Sequence, residues 1–294
     1  MATPTSDTEQ WTLMRLLQVS AKYLGEKGSP SARLDAELLL AHVLDTTRIK
    51  LYVDFDKPIQ DYERSAYREL IRRRAGGEPV AYLVGSREFY GRPFQVDARV
   101  LVPRPETELV VDTVRRLFAA DQPWRMADLG TGSGALAVTL AGEFPQGSVD
   151  AVELSPDAIA VARENADRNG MTERIVFYEG SWVEPLAGKC FDVVVSNPPY
   201  IADEDPEVEP GVRTFEPHEA LFPGPTGLEA IEILARDLPS VLAPEGVWVC
   251  EFGARQKEDI AALLSRTGWQ AEFERDLAGL PRLFIARRNA EGKA

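Results

Sequence analysis

Five consecutive residues, Ser196-Asn197-Pro198-Pro199-Tyr200, directly follow the largely apolar run Phe191-Asp192-Val193-Val194-Val195. That order predicts a polar turn at the C-terminal tip of a central strand, where open α/β sheets hold their ligands. Proline has a fixed φ and no backbone N–H, so the peptide groups of Pro198 and Pro199 can only accept hydrogen bonds. An amide or aromatic-amine nitrogen carries two N–H donors and a delocalised lone pair, which makes it a poor nucleophile. If Asn197 Oδ1 takes one hydrogen and the Pro198 carbonyl the other, the lone pair is aimed at an electrophile. Transfer to such a nitrogen then depends on positioning and electrostatics more than on a strong base. Tyr200 offers a ring to stack on a planar acceptor. Asn197, Pro198 and Tyr200 are therefore the expected catalytic residues, and Asn197, Pro198, Pro199 and Tyr200 the expected acceptor site.

A second group lies upstream. Asp128-Leu129-Gly130-Thr131-Gly132-Ser133-Gly134 closes the strand-like run from Met126 and opens a helix. Glycines suit a turn whose conformations a Cβ would strain and whose backbone a bulky ligand approaches. The Gly-x-Gly-x-Gly spacing departs from the Gly-x-Gly-x-x-Gly of dinucleotide sites, which favours a nucleoside without a pyrophosphate. Asp128, just before the loop, favours a cationic group on that ligand. Glu153 ends the next strand, placed to accept hydrogen bonds from ribose hydroxyls. Trp182, after the third strand, reads either as a wall against a flat base or as a plain core residue. Gly130, Thr131, Gly132, Ser133, Gly134, Glu153, Trp182 and Asn197 are thus the expected cofactor contacts.

The elements that must position these residues fall into two rhythms. From Trp11 to about Gly76 apolar residues recur near a helical period, giving three helices: one through Leu16 and Leu17 stopped by Gly25 and Gly28, one after Ser31, and one from about Pro58. Glu88 to Val102 alternates around Gly91-Arg92-Pro93 and reads as a hairpin joining two domains. From Arg125 strands and helices alternate to the end of the chain, which predicts a parallel, doubly wound, Rossmann-like α/β sheet with helices on both faces. The expected organisation is a helical domain over residues 1–84, a β-hairpin linker over 85–103 and a catalytic domain over 104–294. The acidic, proline-rich stretch from Asp203 to Gly211 reads as a mobile loop.

With these residues in hand, the chain resembles the class I methyltransferases of the release-factor glutamine methyltransferase family (PrmC/HemK) over nearly its whole length. Asn-Pro-Pro-Tyr is shared with methyltransferases acting on adenine and guanine amines. The more specific element is Pro103-Arg104-Pro105-Glu106-Thr107-Glu108 ahead of the glycine loop, joined by Glu216-Pro217-x-x-Ala220-Leu221 and Gly227-Leu228. The resemblance implies S-adenosylmethionine as methyl donor, held by Gly130 to Gly134, Glu153 and Trp182. It implies that Asn197 to Tyr200 hold the glutamine of a Gly-Gly-Gln motif in peptide chain release factors, docked with help from the N-terminal domain. Arg104 and Glu106 would shape the entrance near the cofactor or simply brace their loop. Two departures stand out: Glu153 where many relatives have Asp, and Phe222-Pro223-Gly224-Pro225 in place of the usual glycine pair.

Composition narrows the alternatives. Of 294 residues, 44% are hydrophobic and 27% charged, as in ordinary globular proteins. No apolar stretch approaches the ~20 residues a bilayer span needs, and the polar start from Met1 to Gln10 lacks the pattern of a secretory signal. A cytoplasmic protein without membrane association is expected. Cys190 and Cys250 read as small buried hydrophobes in a reducing compartment, and two histidines with two scattered cysteines offer no metal site. The net charge of −14 repels phosphate backbones, so direct nucleic-acid binding is not expected. The cluster Arg68, Arg72, Arg73 and Arg74 is a local basic patch or a solvated helix face. Three other readings remain: a glutamine in a ribosomal protein as acceptor, a base amine (adenine N6 or guanine N2) as acceptor, and a non-catalytic or NAD-binding protein of the same fold.

Overall fold

A computed structural model describes residues 11–289 of the chain, so the polar start from Met1 to Gln10 lies outside the described residues. The chain divides into two compact units, one formed by residues 1–85 with Glu209–Phe215, the other by Ser86–Val208 with residues 216–294.

The first unit is helical: α1 (Leu13–Glu26), α2 (Ala32–Val43), α3 (Arg48–Val53), α4 (Asp61–Ala75) and α5 (Val80–Val84). Leu17, Leu24, Leu39, Leu40 and Leu51 are fully buried, and the Tyr67 hydroxyl donates to the Ala36 carbonyl at 3.0 Å. Three details differ from the sequence reading, the first being α5, which follows the expected break near Gly76. Gly25 lies inside α1, and the chain leaves the helix at Gly28, whose φ of 90° is open to glycine. Between the second and third expected helices stands the short α3, whose six residues are too few to display a period. The arginines of α4 are engaged: Arg72 with Glu69, Arg73 with Glu78 and Arg74 with the buried Asp35.

The second unit opens with a hairpin, β1 (Ser86–Phe89) and β2 (Arg92–Gln95), joined by Tyr90 and Gly91, both at positive φ as a two-residue turn requires. The hairpin is shorter than the alternation from Glu88 to Val102 predicts. Asp97 ends it, because its carboxylate accepts from the Arg99 amide at 3.0 Å and its carbonyl from the Val100 amide at 3.1 Å, closing a turn. Phe89 and Phe94 bury their rings in the core of this unit.

A helix absent from the sequence reading, α6 (Glu108–Leu117), leads into β3 (Arg125–Leu129). There follow α7 (Ala135–Glu143), β4 (Ser148–Glu153), α8 (Pro156–Arg168), β5 (Ile175–Glu179) and β6 (Phe191–Ser196). After α9 (Pro210–Phe215), which packs with the first unit, come α10 (Glu229–Asp237), β7 (Leu242–Glu251), α11 (Lys257–Arg266), β8 (Trp269–Arg275) and β9 (Pro281–Arg288). The sheet order is β5-β4-β3-β6-β7-β9-β8. The first five of these strands are parallel, as the expected doubly wound sheet requires, and β9 pairs antiparallel with β7 and with β8 at one edge. Side chains alternate between two cores, as a sheet covered on both faces requires. Met126, Val193 and Val195 join α6, α7 and α8, whereas Ala127, Leu129 and Val194 join α10 and α11.

Candidate active site

The chain order reverses between β3 and β6, the neighbours from which the β-α crossovers run to opposite sides. A sheet of this kind opens a crevice at the C-terminal ends of those strands. A cleft does lie there, enclosing with its open mouth about 1180 Å³. Its lining includes Gly130 to Ser133, Glu153, Trp182, Asn197 and Pro199, so residues far apart in the chain meet at one place. Gly134, Pro198 and Tyr200 do not line it.

The glycine loop is fixed from both sides. Amides of Gly130 and Thr131 donate to the Val152 carbonyl of β4 at 2.9 and 3.0 Å. Gly130, Gly132 and Gly134 have φ of 75°, 54° and 80°, values that L side chains rarely adopt. A Cβ on Gly134 would approach Ala162 of α8 at 3.2 Å, so this glycine serves helix packing, while a Cβ on Gly132 would meet only open space. Asn165 of α8 holds the loop from behind, its Nδ2 donating to the carbonyls of Ser133 at 2.8 Å and Gln95 at 3.0 Å while its Oδ1 accepts from the Gln95 amide at 2.7 Å.

Two carboxylates face this loop. Glu153 Oε2 accepts from the Gly132 amide at 2.9 Å, and Oε1 accepts from the Leu154 and Ser155 amides at 2.8 and 3.1 Å. Those bonds take three of the roughly four lone-pair sites of a carboxylate, leaving room for one hydroxyl unless the Gly132 bond gives way. Asp128 is 1% exposed; its Oδ2 accepts from the Thr131 hydroxyl at 2.5 Å and the Ala137 amide at 3.1 Å, and Oδ1 has no partner. Burial pushes its carboxyl up to about 7 against those hydrogen bonds, which favour the charged form. A cation entering the cleft would satisfy the orphaned oxygen and draw the group back to its ionised form. Trp182 has φ of 46°, and its ring sits 3.4 Å from where a Gly130 Cβ would be. It both lines the cleft and packs on the core.

At the tip of β6 Asn197 is half-buried and donates from Nδ2 to Thr107 Oγ1 at 3.1 Å. Thr107 in turn donates to Glu251 Oε2 at 2.6 Å, and the Tyr200 hydroxyl donates to Glu251 Oε1 at 3.0 Å. Burial raises the Tyr200 phenol and the Glu251 carboxyl above their ordinary ranges. Tyr200 thus turns its hydroxyl inward to Glu251 and stands outside the cleft lining, where a stacking role was expected.

The segment from Pro103 to Glu108 is anchored residue by residue. Glu216, 5% exposed, accepts from the Val102 amide at 3.1 Å and from Arg104 Nη2 at 2.5 Å. Glu108 accepts from the Tyr90 amide at the hairpin turn, at 2.8 Å. Arg104 lines the cleft, while Glu106 is exposed and does not. The proline-rich stretch around Gly224 runs beside the Asn-Pro-Pro-Tyr turn: the Ile201 amide donates to the Leu221 carbonyl at 3.0 Å and the Asp203 amide to the Gly224 carbonyl at 3.1 Å.

Known proteins are similar to this chain in both of its units. Residues 15–85 match the PrmC N-terminal domain and residues 106–216 the methyltransferase small domain. The release factor glutamine methyltransferase of Geobacter sulfurreducens is 42% identical over 266 residues, spanning 90% of this chain and 92% of that protein. The chain belongs to the release factor glutamine methyltransferase family. Family members bearing the same name in Nitratidesulfovibrio vulgaris and Rhodopirellula baltica are 40% and 41% identical, each over 97% of this chain, and over 98% and 99% of their own lengths. Among solved structures, the hMettl16 catalytic domain matches with a TM-score of 0.53 at 15% identity, over 72% of this chain and 81% of that one. A methyltransferase from Pyrococcus furiosus matches with a TM-score of 0.50 at 18% identity, over 67% of this chain and 89% of that one. These likenesses show a class I methyltransferase fold.

Thr107, Asn165 and Glu251 escaped the sequence reading as site residues. Thr107 was visible only as a letter within the Pro103–Glu108 motif. Asn165 sits in a helix and Glu251 ends a strand, places where a polar residue ordinarily faces solvent.

Proposed function

We propose that the chain transfers a methyl group from S-adenosylmethionine to the side-chain amide nitrogen (N5) of the glutamine in the Gly-Gly-Gln motif of peptide chain release factors. The observation that carries this reading is that Asn197 lines the same cleft as the glycine loop and Glu153, with its Nδ2 already engaged by Thr107. The names of its 40–42% identical relatives support the acceptor.

The cleft fits the donor. Gly132 leaves open space where a side chain would intrude, Glu153 offers an acceptor to a ribose, and Asp128 Oδ1 is a buried, unpartnered oxygen suited to an ammonium. When bound, S-adenosylmethionine supplies an electrophilic methyl on a sulfonium. Asn197 Oδ1, in the cleft lining, accepts one hydrogen of the acceptor amide, and the Pro198 carbonyl, outside that lining, would take the other only with the acceptor seated against the turn; together they orient the nitrogen lone pair without any base of raised strength. The proton leaves after transfer, when the methylated nitrogen has become acidic.

A nucleic-acid acceptor is disfavoured by the net charge of −14 and by the ion pairs that occupy Arg72, Arg73 and Arg74. No helix among the described residues is long and apolar enough to cross a membrane; an acceptor of the translation machinery supports a cytoplasmic location. Incubation with methyl-labelled S-adenosylmethionine and equal amounts of a release factor, ribosomal protein and DNA tests the reading. Label is expected in the release factor; label confined to ribosomal protein or DNA contradicts it.

A further inference from the structure

We infer that Thr107 and Glu251 are positioning residues that hold the Asn197 carboxamide with its oxygen turned to the acceptor amide. This rests on the reading that Asn197 accepts a hydrogen bond from that amide. Neither residue belongs to the glycine loop or to the Asn-Pro-Pro-Tyr turn. They reach the site from the turn before α6 and from the last residue of β7, the strand beside β6.

The logic is one of hydrogen-bond polarity. Both oxygens of Glu251 act as acceptors: Oε2 takes the single hydrogen of the Thr107 hydroxyl at 2.6 Å and Oε1 that of Tyr200 at 3.0 Å. With its hydrogen spent, Thr107 can offer Asn197 only a lone pair, and Asn197 answers with Nδ2 at 3.1 Å. The carboxamide is planar, so fixing Nδ2 fixes Oδ1 at the opposite corner. A flipped amide would set Oδ1 against the Thr107 lone pairs. The orientation that Asn197 needs is therefore imposed by an acid one residue removed from it.

The burial of the chain fits this role. Glu251 is 1% exposed and lies behind the cleft lining, so water does not replace it as the partner of Thr107, which itself lines the cleft. A buried carboxylate is expensive to maintain, and a glutamine of similar shape would fill the same space at lower penalty. What a glutamine lacks is a second accepting end, so it cannot take the hydrogens of Thr107 and Tyr200 together. Its Nε2 could donate to Thr107, release the hydroxyl hydrogen toward Asn197 and reverse the polarity of the whole chain.

The test uses the full chain labelled with 15N-asparagine. It has four asparagines (Asn165, Asn169, Asn197 and Asn289), so the side-chain amide of Asn197 can be resolved by NMR. In the unaltered protein one Asn197 side-chain proton should be protected from solvent exchange. Thr107→Val should abolish that protection and lower kcat toward release factor by about 10²-fold, with the affinity for S-adenosylmethionine unchanged. Thr107→Ser, which keeps the hydroxyl, should restore both. Glu251→Gln should lower kcat by a similar factor while the melting temperature holds or rises, the reverse of what loss of a merely structural contact would give. Wild-type transfer by Thr107→Val and Glu251→Gln with unchanged Asn197 resonances would overturn the inference. If the unaltered protein does not methylate release factor, the functional reading fails, and the Asn197 resonances alone then decide: protection that survives Thr107→Val refutes the positioning role, and protection lost supports it. Should Glu251→Gln fail to fold, Thr107→Val and Thr107→Ser decide between the same two outcomes.

Discussion

The carboxylate of Asp128 carries the clearest electrostatic mark in the cleft. An acid whose folded value is raised binds more protons folded than unfolded between its ordinary range, about 4, and its raised value. The ligand-free protein should therefore lose stability as pH rises from about 4 to about 7, and Asp128→Asn should flatten that part of the profile. Thermal unfolding of both proteins across this range checks the prediction; parallel profiles would contradict it. The same variant should bind S-adenosylmethionine more weakly at pH 8, where the carboxylate is ionised and would face the ligand's ammonium. Glu153 makes a second prediction. Its replacement by Ala removes the acceptor aimed at the ribose and should weaken donor binding by ~1–3 kcal/mol. Calorimetry returning an unchanged affinity would dismiss that role. The loss should sit toward the lower end, because three backbone amides already occupy most of this carboxylate.

The glycine loop owes its shape to its neighbouring elements as much as to its glycines. Asn165 reaches from α8 to the Ser133 carbonyl and to both backbone groups of Gln95 in β2, tying loop, helix and hairpin together. Asn165→Ala removes a fully buried amide and leaves its partners unsatisfied, so it should destabilise the protein by about 2–4 kcal/mol. It should also weaken donor binding, although Asn165 does not line the cleft. Urea denaturation and calorimetry measure the two effects; a destabilised protein with intact affinity would separate the clamp from the site. This clamp also shows where sequence reading stops. Turns and strand tips were legible, because Gly130, Gly132 and the paired prolines are dictated by local backbone geometry. Partners across the sheet were not: nothing in the spacing of Asn165, Thr107 or Glu251 tells which loop each will meet. Strand direction at the sheet edge was equally hidden, since β8 and β9 alternate in the same way whether they run parallel or antiparallel to β7. The helix α6 went unread because Val110, Val111 and Val114 are β-branched, a composition that favours strands although their spacing fits one helical face.

For the whole molecule the central claim is a division of labour between two strand tips. In the proposed function the glycine loop after β3, with Glu153 and Asp128, would hold the methyl donor, and Asn197 after β6 would orient the acceptor. Both line one cleft of the second unit. If the two tasks are separate, one can be removed without the other. Asn197→Ala, followed by single-turnover methyl transfer to release factor and by calorimetry with S-adenosylmethionine, tests this most directly. The predicted result is a transfer step slowed by about 2–4 kcal/mol of lost transition-state stabilisation with donor affinity nearly unchanged. Transfer at the unaltered rate, or a loss explained wholly by weaker donor binding, would contradict it.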